Sequence, residues 1–316
     1  MSTRHLVDPE LLPLLDLWPT MSLSAESLEQ ARRWESPKPQ VVDDGVTVER
    51  VIVPGPAGAP DVALYLFRPA RLAKGAGCIV HMHGGGYVLG KAEDGAVRLR
   101  PIVAALGCIV VSVDYRLAPE TPFPGPIEDC YAGLRWTFAH AQRLGIDPAR
   151  IGVMGESAGG GLAASLALLA RDRGEFQLAF QHLLYPMIDD RTCSNDPDPL
   201  TGEFIWNRAS NRFGWQCMLG EEPGEAEVSP YVAAARAEDV AGLPPTYIAT
   251  GALDLFRDEN ITYAQRLLAA GVPTEFHVWP GAIHAFDALP DAAIAQEANQ
   301  SRIAALRRAL TAKPRA

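Results

Sequence analysis

Residues 151–161 read Ile-Gly-Val-Met-Gly-Glu-Ser-Ala-Gly-Gly-Gly. An apolar, β-prone run stops abruptly at Gly-x-Ser-x-Gly, and an apolar helical pattern from Leu162 to Ala170 follows at once. A strand that becomes a helix across one residue has few ways to do so. The residue at the bend is held in a strained backbone conformation that lifts its side chain above the edge of the sheet. Gly155 and Gly159 carry no side chain, so strand and helix can close on each other there. Ser157 occupies the bend and is the candidate nucleophile. The motif recurs by composition in about one chain in ten of this size. An ordinary glycine-rich strand-to-helix connection is the alternative, and the rest of the chain has to decide between them.

The chain has 316 residues, 48% hydrophobic and 21% charged. That supports a globular fold with a sizeable core, as one large α/β domain or two small ones. The net charge is −10, and no stripe of Lys and Arg appears. Nucleic acid and anionic membrane are thereby disfavoured as partners. The five cysteines form no Cys-x-x-Cys pair and none sits near a metal-type histidine spacing, so neither a metal nor another cofactor is expected. Cys78 and Cys108 fall in apolar runs and read as small core residues. Without a disulfide framework, a reducing cytoplasmic setting is expected. Leu11 to Leu15 is broken by Pro13 and does not read as a secretory signal. Ala158 to Ala170 is too short to span a bilayer.

Residues 1–45 read as a pair of amphipathic helices. Ser24 suits an N-cap for a helix from Ala25 to Trp34, with Leu23 and Leu28 at the positions of a hydrophobic staple. Ser36-Pro37-Lys38-Pro39 then breaks the helix. Val48–Val53 and Val62–Arg68 suggest an antiparallel hairpin. Gly77–Met82 and Cys108–Val113 are nearly continuous apolar runs, as expected of inner parallel strands covered on both faces. Further strands are predicted at Ile151–Met154, Phe180–Leu184, Thr246–Ala249 and Glu275–Trp279, with helices at Ile127–Arg143, Glu259–Ala270 and Ala292–Leu310. This alternation predicts a wound α/β sheet. Residues 187–228 interrupt the rhythm and are too long for a plain loop. They read as a helical insertion rich in aromatics. Together with the N-terminal helices it could cover the carboxyl edge of the sheet, where open α/β sheets bind ligands. Tyr87, Phe204, Trp206 and Phe213 either line a substrate pocket there or simply pack these segments on the body.

His83-Gly84-Gly85-Gly86 directly follows the third predicted strand. Consecutive glycines leave backbone N–H groups unshielded, and acyl transfer needs such donors for the oxyanion of its tetrahedral intermediate. The N–H of the residue after the nucleophile, Ala158, is the natural second donor. No Gly-Lys-Ser/Thr follows, which argues against a phosphate cradle. His83 reads as a hydrogen-bonder that holds the loop. Of the seven histidines, His284 alone sits in a loop after the last strand, where a catalytic base belongs. Asp254, in the turn after Thr246–Ala249, is the expected orienting acid, with Asp258 as the alternative.

With those residues in view, the chain resembles the hormone-sensitive-lipase family of α/β-hydrolases, the bacterial carboxylesterase group. The matching stretches are His83–Tyr87, Asp114–Glu120 with Phe123-Pro124, Gly155–Gly160, Asp254–Glu259 and Gly281–Phe286, in the family's order. The resemblance implies an eight-stranded, mostly parallel sheet with helices on both faces. It implies a catalytic domain of residues 46–186 and 229–316, and a helical cap made of residues 1–45 and 187–228. It also implies Gly85, Gly86 and Ala158 as oxyanion donors, with Gly84 able to substitute for one. Asp114–Glu120 reads as structural, with Arg116 and Glu120 paired to each other. Glu156 is a variant of the motif that the sequence ties to no role.

The expected activity is hydrolysis of short- to medium-chain carboxylic esters through an acyl-enzyme on Ser157, failing below roughly pH 6 to 7 as imidazole protonates. An amidase or aryl-formamidase acting at the same site, and a non-catalytic small-molecule receptor, are the rival readings. A homodimer is allowed by the resemblance, not by any residue.

Overall fold

The computed structural model describes residues 2–18, 22–33, 44–194, 198–224 and 227–312. The end of the second N-terminal helix at Trp34 and the predicted break at Ser36–Pro39 lie outside the described residues. Helices α1 (Leu12–Leu17) and α2 (Ala25–Arg33) precede the sheet. Ser24 caps α2 in a reciprocal arrangement, its Oγ accepting from Ser27 N–H at 3.4 Å while Ser27 Oγ accepts from Ser24 N–H at 2.9 Å. Leu23 and Leu28 are both buried, as a staple requires.

The sheet comprises β1 (Val46–Val53), β2 (Val62–Pro69), β3 (Ala76–Met82), β4 (Ile109–Asp114), β5 (Ile146–Glu156), β6 (Gln181–Leu184), β7 (Thr246–Gly251) and β8 (Thr274–Trp279). Its order is β1-β2-β4-β3-β5-β6-β7-β8. β1 and β2 form the predicted antiparallel hairpin, and β2 also runs antiparallel to β4. All later neighbours are parallel. The intervening helices are α3 (Ala96–Leu106), α4 (Gly125–Ala139), α5 (Ala141–Leu144), α6 (Ala158–Arg173), α7 (Arg208–Leu219), α8 (Arg257–Ala269) and α9 (Ala293–Thr311).

Strand periodicity divides the core between two layers. Cys78, Val80 and Met82 of β3, with Ile109, Val111 and Val113 of β4, join the cluster that α4, α6 and α8 pack on. Ile79, Val110 and Met154 point the other way, toward Leu99, Ile102 and Val103 of α3 and Leu306 and Leu310 of α9. Helix α6 is buried from Ala158 through Ala170, which explains why its sequence is apolar all round rather than amphipathic.

Several expectations needed adjustment. The fifth strand starts at Ile146, not Ile151, and Ile127–Arg143 is two helices, α4 and α5, parted at His140. Helix α3 was not foreseen. Pro101 sits inside it, and proline is a poor interior helix residue. Arg116 does not pair with Glu120. Its guanidinium binds the buried carboxylate of Asp129 on α4 at 2.8 and 2.7 Å. Glu120 is instead bound by Arg32 of α2, at 2.6 and 2.8 Å.

The 187–228 segment contains a 3-10 turn at Asp190–Cys193 and the helix α7. It is tied to the N-terminal segment by Leu23 N–H to Ser210 Oγ at 2.9 Å, Asn207 Nδ2 to Ser22 Oγ at 3.1 Å, and Thr3 Oγ1 to Glu203 at 2.6 Å.

Candidate active site

Four parallel strands deliver the candidate residues to one edge of the sheet. β3 runs into His83–Gly86, β5 presents Ser157, β7 leads to Asp254 and β8 leads to His284. Ser157 has φ 53° and ψ −122°. A conformation of that kind costs on the order of 1–3 kcal/mol and persists only where its surroundings over-determine it. Here Ser157 N–H donates to Leu184 O at 2.9 Å, and Ser157 O accepts from both Gly161 and Met187 N–H at 3.0 Å. A Cβ on Gly155 would stand 2.1 Å from Gly159 O, and one on Gly159 would stand 2.1 Å from Met82 O. Both glycines are therefore required by contact.

The bend turns Ser157 toward His284, whose Nε2 lies 3.0 Å from Ser157 Oγ. On the other side of the ring, His284 Nδ1 lies 2.8 Å from Asp254 Oδ2. The second carboxylate oxygen of Asp254 accepts from Phe256 N–H at 2.9 Å, so the acid is fixed at both ends. Tyr185 and Phe256 hold the imidazole edge-on, with ring centroids at 4.8 and 5.3 Å. Ser157, Asp254 and His284 are all buried. Asp258, the alternative acid, is on α8, largely exposed and paired with Arg257. The structure brings Asp254 to His284 and leaves Asp258 outside.

The glycine loop lies against this bend. A Cβ on Gly84 would come within 3.1 Å of Glu156 O and 3.5 Å of Ser157 Cβ. Gly85 and Gly86 have φ of 123° and 60°, conformations open to glycine. Among the described residues, the N–H groups of Gly85, Gly86 and Ala158 donate to no protein acceptor. Ala158 opens α6, so it has no intrahelical carbonyl to bond. His83 holds the loop as expected. Its Nδ1–H donates to Gly84 O at 2.8 Å, and its ring stacks on Tyr115 at 4.3 Å. Burial pushes the His83 imidazole pKa down, which favours the neutral ring.

The four pocket candidates separate. Tyr87 is fully buried, donates its hydroxyl to Met187 O at 2.8 Å and meets Trp215 edge-on, so it braces the loop. Trp206 lies directly over the loop: a Cβ on Gly86 would be 2.1 Å from its Cη2. Phe204 and Phe213 are half-buried and pack against the two flanking core clusters. An open cleft of about 930 Å³ lies elsewhere, between α8 and the insertion, lined by Asp189, Arg191, Glu259 and Arg266 among others. Ser157, Asp254 and His284 do not line that cleft; their side chains converge away from it.

Sequence reasoning missed the surroundings of Glu156. Its carboxylate is buried and meets His81 Nε2 at 3.0 Å and Arg98 Nε at 3.4 Å. Burial pushes its pKa up, but the charges of His81 and Arg98 outweigh this and hold it down at about 2. The available signal was a carboxylate at the end of an apolar strand, which must find a cationic partner if it is buried.

A family model described as alpha/beta hydrolase fold matches residues 79–288. Carboxylesterase NlhH of Mycobacterium tuberculosis is 35% identical over 314 residues, spanning 97% of each chain. Esterase LipI of the same organism is 36% identical over 284 residues, covering 89% of this chain and 88% of its own. Among solved structures, a bacterial heroin esterase superposes with a TM-score of 0.90 at 39% identity, covering 98% of this chain and 100% of that one. The strand order, the loops that carry the candidate residues and these likenesses agree: the chain belongs to the α/β-hydrolase family, in its hormone-sensitive-lipase-like group of carboxylesterases.

Proposed function

We propose that this protein is a serine carboxylesterase that cleaves short- to medium-chain esters through an acyl-enzyme. The observation that carries the reading is the buried relay, 3.0 Å from Ser157 Oγ to His284 Nε2 and 2.8 Å from Nδ1 to Asp254. In this reading His284 accepts the Ser157 proton as the oxygen attacks the ester carbonyl. Asp254 keeps the reactive tautomer and stabilises the imidazolium. The N–H groups of Gly85, Gly86 and Ala158, with Gly84 as an alternative donor, receive the developing oxyanion. Each such donor is worth about 10²–10³ in rate. His284 then protonates the leaving alcohol and activates the water that releases the acid.

The N-terminal segment and the 187–228 insertion act as the cap over residues 46–186 and 229–316. Their mutual hydrogen bonds and the seat of Trp206 on Gly86 support this role. The indole leaves little room over the oxyanion loop, which favours short acyl groups. The five free cysteines support a cytoplasmic setting.

The test is active-site labelling and burst kinetics with p-nitrophenyl acetate. The native protein should react with a fluorophosphonate and show a burst, while folded Ser157→Ala should do neither. Undiminished turnover in that variant refutes the nucleophile. A matched aryl anilide should be cleaved far more slowly than the ester, and the reverse preference favours an amidase.

A further inference from the structure

Glu156 immediately precedes Ser157, and Asp287 lies on the loop that carries His284. Both carboxylates are buried, with side-chain exposures of 8% and 5%. Neither bonds Ser157 Oγ or the His284 ring: Glu156 meets His81 and Arg98, and Asp287 meets Tyr185, Arg98 and Arg302. A single guanidinium, that of Arg98 on α3, reaches both. Its Nε faces Glu156 Oε1 at 3.4 Å, and its terminal nitrogens bind Asp287, with Nη2 at 3.4 Å from Oδ1 and Nη1 in closer contact with Oδ2.

The arrangement extends to two further contacts. Asp287 Oδ1 accepts from Tyr185 OH at 2.6 Å, and Tyr185 is the ring that holds His284 edge-on. Arg302 Nη1 lies 3.3 Å from Asp287 Oδ2. Arg98 thus bridges the nucleophile turn and the base loop from outside the site, on a helix the activity does not otherwise use. Without it, the two buried carboxylates lose a common cation: Glu156 keeps His81 and Asp287 keeps Arg302, but among the described residues no other side chain pairs with both.

We propose that Arg98 is a positioning residue, a clamp that sets the separation of Ser157 from His284 through Glu156 and Asp287. This rests on the reading of Ser157 and His284 given above. The clamp needs a planar fork, since an ammonium presents a point charge that meets one carboxylate at a time. Misplacement by about 1 Å costs on the order of 10²-fold in rate. The clamp touches no substrate, so the loss falls on kcat and leaves KM alone.

The experiment compares Arg98→Gln, Arg98→Lys, Asp287→Asn and the double variant R98Q/D287N in the full chain. It reads kcat and KM on p-nitrophenyl acetate, the rate of fluorophosphonate labelling, and the melting temperature. The clamp requires kcat and labelling rate to fall together, about 30- to 100-fold in R98Q, with KM within about twofold. R98K should melt near the native protein yet stay slow, and R98Q/D287N should be no slower than R98Q. A folded R98Q with kcat within about threefold of native overturns the proposal, as do a fully active R98K or losses that multiply in the double variant. If R98Q does not fold, the near-isosteric D287N decides: lowered kcat at constant KM supports the clamp, and native kcat overturns it. Ser157→Ala separates the two levels. Labelling of that variant sinks the parent reading, whereas a silent Ser157→Ala beside a fast R98Q sinks the clamp alone.

Discussion

Asp254→Asn is the most informative single change, because the structure fixes what the amide would meet. Asp254 presents one oxygen to Phe256 N–H at 2.9 Å and the other to His284 Nδ1 at 2.8 Å. Both neighbours donate to a carboxylate, which has acceptors on each side. Asparagine has one acceptor and one donor. If its oxygen stays with Phe256, its NH₂ faces His284 Nδ1, which must then be the acceptor. The ring proton moves to Nε2 and points at Ser157 Oγ, so the base is blocked. If the amide flips, His284 keeps its reactive tautomer, but NH₂ opposes the Phe256 N–H in a site with no exposure. That buried clash costs about 1–3 kcal/mol, a factor of roughly 5 to 150. In either state the carboxylate that stabilises the imidazolium is gone. The combined loss in kcat should be about 10⁴-fold, the loss seen when a triad Asp becomes Asn elsewhere. The assay is steady-state hydrolysis of p-nitrophenyl acetate, with thermal melting to confirm the fold. Asp258→Asn is the control, and its exposed pair with Arg257 predicts less than about a twofold change. Asp254→Asn retaining a tenth of native kcat, or Asp258→Asn proving equally harmful, would refute the assignment of the acid.

Three further outcomes are expected. Gly159→Ala places a Cβ 2.1 Å from Met82 O and 2.4 Å from His83 O, both backbone atoms, so α6 must move away from the oxyanion loop. It should lower stability by about 3 kcal/mol or more and kcat by over about 100-fold; a native melting curve with native kcat contradicts the contact. Trp206→Ala clears the space over Gly86 and should raise the octanoate-to-acetate ratio of kcat/KM by about tenfold or more, read on a graded p-nitrophenyl ester series, and an unchanged ratio removes Trp206 from the acyl site. Finally, Glu156 has a carboxyl lowered from 4.5 to about 2, because His81 and Arg98 overcome the effect of burial. A folded pKa below the unfolded one stabilises the protein above pH 4.5 and loses that stabilisation as pH falls toward 2. About 3 kcal/mol is at stake; chemical denaturation across that window should show native stability falling more steeply than that of Glu156→Gln, and parallel curves would count against the pairing.

What could be read from the sequence was mostly local. The inner strands announced themselves because residues such as Ile79 and Val80 are buried on opposite faces, leaving few polar positions in the runs, with His81 and Ser112 hydrogen-bonded to each other. The bend at Ser157 was legible because strand, glycines and helix are adjacent in the chain. Long-range pairing was not legible. Glu120 stands four residues after Arg116, which invited a pair, but that segment is not helical and α4 supplies Asp129 instead. Helix α3 was hidden by Pro101 and by two arginines whose partners, Asp44, Glu156 and Asp287, lie far off in sequence. Tyr87 looked like a pocket residue because it follows the glycine loop, yet the packing of Trp215 and the Met187 carbonyl turns it into a brace.

The backbone itself argues for where function resides. Among the described residues, five that are not glycine adopt positive φ: Tyr87, Ser157, Tyr185, Ile205 and Ala285. Tyr87 ends the glycine loop, Ser157 is the bend, Tyr185 flanks the imidazole, Ile205 precedes Trp206 and Ala285 follows His284. Chance would scatter such residues along the chain. At about 1–3 kcal/mol each, their strain rivals the whole stability of a typical domain, about 5–15 kcal/mol. Such conformations survive only if the surroundings leave no alternative. The strands on both sides of the nucleophile turn are buried, α6 is enclosed for most of its length, and two glycines are pressed against backbone. The rigidity of the core is thus what allows the strained residues to hold a hydroxyl, an imidazole and unpaired amides in one place before any substrate arrives.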